Sequence, residues 1–371
     1  INADMTLDPV SGQIGATGNL VARGAAVSFD LRSGALEAAE TPLQLTVTTR
    51  PAARLQLDAL LTGSAEDRRL SGKLKLTGDD ARVLLGTLTR IAVPAVLAQP
   101  IAASADLAAS TRQLTLDHLA LDFGSAHGEG SLHVEAGTPP ALTLKLSVAQ
   151  LDLDRWAPAA RKAALAPAPA SFGSAFAAAP SAAAVLPAQP GGGLGLPAGI
   201  NVSLDIGVGA TLWRGGLVRD AQLKLTLADG RLTLGRLAVL LPGGASLSLS
   251  GGGTLTPDGP RAEAALDVDA NDLRSLCGWL GVTMEQIPAD RLRKATLSSR
   301  LALTGDRLDI EAIDGTLDAT RLNGAATVLL RARPGIGLRL VADRFSLDAY
   351  LPQSVAHPPA AAAPATAAAP A

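Results

Sequence analysis

Residues 114–158 read LTLDHLALDFGSAHGEGSLHVEAGTPPALTLKLSVAQLDLDRWAP. The pattern returns at residues 232–278 as LTLGRLAVLLPGGASLSLSGGGTLTPDGPRAEAALDVDANDLRSLCG, and at residues 308–352 as LDIEAIDGTLDATRLNGAATVLLRARPGIGLRLVADRFSLDAYLP. In each copy, strands with an aliphatic residue at every second position end on a Leu-Asp or Asn-Asp segment that opens toward a helix. A period of about 45 residues with several strands inside it implies stacked sheet units that cannot bury their apolar faces alone. The 371 residues therefore read as one elongated array, in which length counts repeat units.

Strict alternation places the strands. Val27, Phe29 and Leu31 form one run, and Leu43, Leu45 and Val47 another; Leu142, Leu144, Leu146 and Val148 form a third. Val202, Leu204, Ile206 and Val208, then Leu223, Leu225 and Leu227, then Leu247 and Leu249 continue the pattern. The intervening positions, such as Thr143, Lys145 and Ser147, are polar, as in antiparallel sheets with one covered and one wetted face. Asp229-Gly230, Pro242-Gly243-Gly244, Asp258-Gly259 and Asp314-Gly315 supply turns at the spacing of a meander. The predicted fold is mainly β: an elongated, curled antiparallel sheet of roughly 20 strands built from repeats, with an apolar concave groove and a few short helices. Leu142, Leu144, Leu146, Leu204, Ile206, Leu223, Leu225, Leu247 and Leu249 are the candidate groove residues, because each holds the apolar parity of its strand.

The helices are predicted near Asp80, Asp154, Asn271 and Leu347. Asn271 is positioned to cap a helix carrying Leu273, Leu276, Cys277 and Leu280, and Asp79 or Asp80 to cap one carrying Val83, Leu84 and Leu88. Trp156 and Tyr350 occupy matching places and read as anchors where strand gives way to helix. Residues 157–197 are rich in Ala, Pro, Gly and Ser, a composition that cannot offset its ordering entropy by burial. The chain thus divides into a repeat region at 1–156, a disordered loop at 157–197, a repeat region at 198–352 that continues the same sheet, and an Ala/Pro tail at 353–371. The tail looks like the start of a second such insertion. The opening at Ile1, inside an alternating pattern, reads as a fragment of a longer polypeptide.

The 32 basic and 34 acidic side chains give a net charge of -2 with no basic stripe, which argues against nucleic acid as a partner. Aromatics are 2% of the chain, too few for stacking platforms on bases or sugars. Cys277 is the only cysteine, so neither an intrachain disulfide nor a thiolate zinc cluster can form.

His127, Glu129 and His133 share one strand parity and could present metal ligands, yet Ser131 and Glu135 continue the same polar face, so a solvated surface explains them better. Asp267, Asp269 and Asn271 mimic the start of a calcium loop but lack its Gly and its terminal Glu. The Gly-rich run 191–199 does not join a strand to a helix, and no nucleophile elbow occurs. Asp309, Asp314 and Asp318 could supply the carboxylate pair of a glycosidase, but no aromatic platform lies near them in the sequence and they read as turn and outer-face acids. No enzymatic activity, metal or cofactor is expected.

The unit strand-Gly-strand-Leu-Asp-helix, as in LSGKLKLTGDDARVLLGTL, LALTGDRLDIEAIDGTLDATRLNGAATV and LTLKLSVAQLDLDRWAP, resembles the AsmA family and the wider AsmA/TamB-like group of Gram-negative envelope proteins. The resemblance covers most of the chain outside its Ala/Pro segments. It implies a long curled sheet with an apolar inner groove, tethered by an inner-membrane helix that is not in this sequence. It further implies a periplasmic location, contact with outer-membrane components, and non-enzymatic movement or shielding of phospholipid between the two membranes. The alternative is a structural or adhesive β-solenoid whose halves close into an ordinary core without lipid transport.

Overall fold

The computed structural model describes residues 2–7, 12–22, 25–35, 40–50, 53–64, 67–82, 98–156, 199–256, 259–282, 284, 287–331, 334–344 and 347–350. They form one 19-stranded sheet, and strand accounts for 73% of them. In chain order the first half holds β1 (Asn2–Leu7), β2 (Ile14–Ala22), β3 (Ala25–Ser33), β4 (Glu40–Arg50), β5 (Ala53–Thr62), β6 (Arg69–Gly78), β7 (Ile101–Ala109), β8 (Gln113–Phe123), β9 (Ala126–Glu135), β10 (Ala141–Asp152) and helix α1 (Leu153–Trp156). The second half holds β11 (Asn201–Trp213), β12 (Gly216–Ala228), β13 (Arg231–Leu241), β14 (Ala245–Thr256), β15 (Gly259–Ala270), helix α2 (Leu273–Trp279), β16 (Ala295–Thr304), β17 (Arg307–Leu317), β18 (Thr320–Leu329), β19 (Gly335–Ala342) and a 3-10 turn η1 (Leu347–Tyr350). Residues 157–197 and 353–371, and Val83, Leu84 and Leu88, lie outside the described residues.

Each strand pairs with its neighbours in sequence. Among the described residues the sheet is open, with β1 bonded only to β2 and β19 only to β18. Every ladder among them is antiparallel except one. β10 and β11 run parallel, from Ala141 opposite Asn201 to Asp152 opposite Leu212. The second repeat region thus continues the sheet of the first, but through a junction at which the chain returns to the far end of the strand before starting again.

The meander gives the sheet two unlike rims. The helical turn begun at Ala81, then α1, α2 and η1, all fall on one rim, whereas the connection into β11 enters from the other. Aspartates fix the helical rim. In α1, Asp154 accepts hydrogen bonds from the backbone N–H groups of Arg214 and Gly215, each at 2.7 Å. Those two residues, with φ of 52° and 69°, form the two-residue turn between β11 and β12. Asp318, in the β17–β18 turn, accepts from the backbone N–H groups of Leu292 and Arg293, each at 2.8 Å. Tyr350 of η1 donates to the same carboxylate at 3.2 Å, with Arg291 stacked on its ring. Tyr350 is therefore the anchor its position implied, whereas the side chain of Trp156 lies outside what is described.

The cap of α2 is Asp272 rather than Asn271. Asp272 accepts from the backbone N–H of Ser275 at 3.1 Å, while the Asn271 amide donates to the Gly244 carbonyl at 3.4 Å. The stripe of α2 likewise ends on Trp279 rather than Leu280, which is 46% exposed. Trp279 donates its indole N–H to the Trp213 carbonyl at 2.9 Å and meets the Trp213 ring edge to face at 5.4 Å. Gly216 makes this possible, since a Cβ there would lie 2.4 Å from the Trp279 indole nitrogen. Leu276 completes a buried cluster with Ala245 and Ala270, against which Leu241, Leu273 and Ala295 pack. The helix thus covers the rim end of the sheet's apolar face across β13 to β16.

The three sequence copies also share a break in alternation. In β8 the pairing slips between Leu116 and Leu119, in β13 between Leu234 and Leu237, and in β17 between Ile310 and Ile313. The extra pairs are Asp117-His118, Gly235-Arg236 and Glu311-Ala312, with His118 and Ala312 both at φ 49°. Each is a β-bulge, which restores the aliphatic residues to their original face and increases the local bend.

Candidate functional site

The nine candidate residues lie on one face of the sheet and are neighbours across strands. Leu144 of β10 stands opposite Leu132 of β9 on one side and Leu204 of β11 on the other. The row continues through Leu225 of β12 and Leu234 of β13. Leu146, Ile206, Leu223, Leu237 and Leu249 form the adjacent row. Leu142 pairs with Val202, and Leu247 with Val239 and Val268.

The first row reaches far beyond these strands. Toward the C-terminus it runs from Leu234 through Gly251, Ala264, Leu301, Ile310 and Ala326 to Leu338 of β19. Toward the N-terminus it runs from Leu132 through Leu116, Leu107, Gly72, Ala59 and Leu43 to Ser33 and Ile14. Ser33 is the single polar member of this row between Ile14 and Leu338. Gly72 and Gly251 are required where they stand: a Cβ at either would lie 2.2 Å from a neighbouring backbone oxygen. In the adjacent row Leu266 faces Ser299, whose buried hydroxyl has no hydrogen-bond partner.

None of the nine candidates is buried; each is half-buried. Lateral neighbours cover their flanks, and among the described residues no second sheet lies over them, as it would in a sandwich. The opposite face is charged and wet. Lys145, Asp205, Lys224 and Arg236 face one another across four strands, and the Lys224 ammonium lies 3.4 Å from the Asp205 carboxylate. Near the helical rim the parity of β11 and β12 inverts: Thr211 and Val218 are buried while Leu212 and Leu217 are 40% and 51% exposed.

The polar candidates are engaged in local structure. His133 places Nδ1 3.0 Å from the Thr115 hydroxyl and Nε2 3.0 Å from the Glu135 carboxylate, while the exposed His127 contacts Asp122 and Glu129 is exposed. Asp267 accepts from the Ser298 hydroxyl. Asp309 accepts from Arg307 at 2.8 Å and from Thr327 at 2.7 Å, contacts that hold its carboxyl below the ordinary range. Burial pushes the Asp318 carboxyl up, but the N–H groups of Arg293, Leu292 and Lys294 and the Tyr350 hydroxyl outweigh it, and the net shift is downward. Burial pushes the Cys277 thiol up, away from the nucleophilic thiolate. Among the described residues, no helix is long and apolar enough to cross a membrane.

Among the described residues, the open sheet with one largely uncovered apolar face defines a class: a single-sheet β-repeat protein. Comparison of the chain with protein-family models, with curated proteins and with solved structures returns no match.

Proposed function

We propose that this chain is an AsmA-like envelope protein that holds phospholipid acyl chains along its apolar face and moves or shields them between the inner and outer membranes, without enzymatic chemistry. The observation that carries the reading is the aliphatic row that crosses the sheet with no second sheet over it among the described residues. Each methylene moved from water onto such a face contributes about 0.8 kcal/mol, so an acyl chain gains steadily by lying across the strands. The aliphatic residues of the row, unlike aromatics, offer no stacking sites that would favour a sugar or a base. The charged opposite face keeps the sheet soluble, and a headgroup would stay in solvent at the margin of the apolar face. Under this reading the protein works in the periplasm, tethered to the inner membrane.

The test is mass spectrometry of lipid extracted from the purified chain, compared with a variant carrying Leu144→Asp, Leu225→Asp and Leu249→Asp. Phospholipid or fatty acyl material should accompany the parent and be depleted in the variant, with strand content by circular dichroism unchanged. A Lys145→Asp variant on the opposite face should keep its lipid. If the folded triple variant retains as much lipid as the parent, the apolar face is not the binding surface and a structural or adhesive role takes its place.

A further inference from the structure

The rim opposite the helices carries a row of hydrogen-bond donors. Register places Arg231 opposite Thr254, Thr254 opposite Arg261, Arg261 opposite Thr304 and Thr304 opposite Arg307, so that Arg and Thr alternate over β13 to β17. Arg231 and Arg307 are the first residues of their strands, and all three arginines are exposed. Neighbouring strands lie about 4.8 Å apart, so successive arginines of the row stand roughly 10 Å apart with a hydroxyl between them. Among the described residues, the side chains of Arg231, Arg261, Thr254 and Thr304 have no polar partner. Arg307 gives its Nε to Asp309 at 2.8 Å, which leaves the rest of its fork. The carboxylates near the row are Asp229 in the turn before Arg231, Asp306 already paired with Arg331, and Glu263 and Asp309 in the next row inward.

On the other face the same strand ends are apolar. One residue inward from the donors, Leu232, Gly253, Ala262, Leu303 and Leu308 lie opposite one another in turn. At the helical rim of these strands the aliphatic face is closed: Leu276 of α2 packs with Ala245 and Ala270, and Leu241 and Ala295 border the cluster. A lipid held on β13 to β16 thus has one open margin at which its headgroup reaches water, and that margin carries the Arg and Thr donors. Arginine stems lie over apolar surface while their heads stay in water. Their planar forks match phosphate oxygens two at a time.

We infer that this row binds the headgroup phosphate of a phospholipid whose acyl chains lie on the aliphatic face between the row and α2, an inference that rests on the lipid-holding role proposed above. It narrows the ligand to acyl lipids bearing an anionic phosphate and fixes the headgroup at the rim opposite the helices.

The probe is a phosphatidylglycerol with a pyrene at the end of one acyl chain, titrated below its micellar concentration against the full chain. Energy transfer from Trp213 and Trp279, at the helical rim, reads occupancy of this part of the face. The pyrene-labelled diacylglycerol with the same chains lacks the phosphate, and glycerol phosphate, read by calorimetry, lacks the chains. The phospholipid should bind about tenfold or more tightly than the diacylglycerol. Arg231→Gln with Arg261→Gln should remove that difference and leave diacylglycerol binding as it was, whereas Arg219→Gln with Arg321→Gln, at the helical rim, should keep it. If the two lipids bind equally, or the Arg231/Arg261 variant keeps the difference, the inference falls while the aliphatic face stands as the lipid surface. If neither lipid binds, that surface is lost and the inference with it. Glycerol phosphate binding as tightly as the phospholipid would also overturn it, since the row would then serve a free phosphate ester.

Discussion

Shortening the connection between β10 and β11 tests the parallel junction directly. The paired stretch of β10 is 12 residues long, about 40 Å at ~3.3 Å per residue. The chain must cover that distance between the end of α1 and the start of β11. A fully extended link gains at most ~3.3–3.6 Å per residue, so about 12 residues is the minimum. A Gly/Ser link of about 6 residues in place of 157–198 would reach only ~20 Å and could not keep the register. Links of about 20 and about 40 residues both reach, and should differ by only ~0.6 kcal/mol of closure entropy. The assay is amide hydrogen exchange at residues 142–148 and 202–208, with urea unfolding, on the monomer fraction so that strand exchange between molecules is excluded. The two longer links should preserve protection; the short one should lose it on both strands while β4 and β17 stay protected. Equal protection with the short link would refute the parallel register, since an antiparallel pair needs a turn of only about 2–5 residues.

Three further outcomes follow from the same geometry. Leu225→Asp should destabilise by about 2–4 kcal/mol, a half-buried methylene surface being exchanged for a desolvated carboxylate, whereas Lys224→Asp should change stability by less than ~1 kcal/mol; equal losses in denaturant melts would contradict the assignment of faces. Asp318→Asn should cost about 1–3 kcal/mol near neutral pH through its backbone bonds; because the native pKa is depressed, the parent's advantage should be full above about pH 4 and fade as pH falls through the lower native value, so a stability gap that widens on acidification would be the wrong sign. Ala312→Gly should be neutral or stabilising by up to ~1 kcal/mol, since φ is 49° there, while Ala302→Gly, within the extended part of β16, should lose about 0.5–1 kcal/mol.

Strand parity was legible because alternation is local: one covered face forces an aliphatic residue at every second position, and Leu142 through Leu249 obey it. The bulges were also written in the sequence, as paired non-aliphatic positions at Asp117-His118, Gly235-Arg236 and Glu311-Ala312, but a strict period of two passes over them. Reading the three copies against one another would have exposed the slip. Asn271 and Asp272 are equally good capping residues, and only the entry angle of the chain decides that Asp272 serves. The parallel pairing of β10 with β11 has no local signal, because the same alternating strand fits its neighbour in either direction. The rows across the sheet depend on register accumulated over many ladders, which no single segment encodes.

A sheet one layer thick, in which each strand is held almost wholly by the two beside it, behaves as a zipper under load. Tension applied at Asn2 and Ala342 falls on one ladder at a time. Each peeled strand releases its own length of chain, ~35 Å for a typical strand of about 10 residues, and leaves the next ladder as the new bearing element. Such an array yields in many small steps and re-forms from whatever strands remain paired, so that stretching between two distant attachment points would shorten the aliphatic track strand by strand without erasing it.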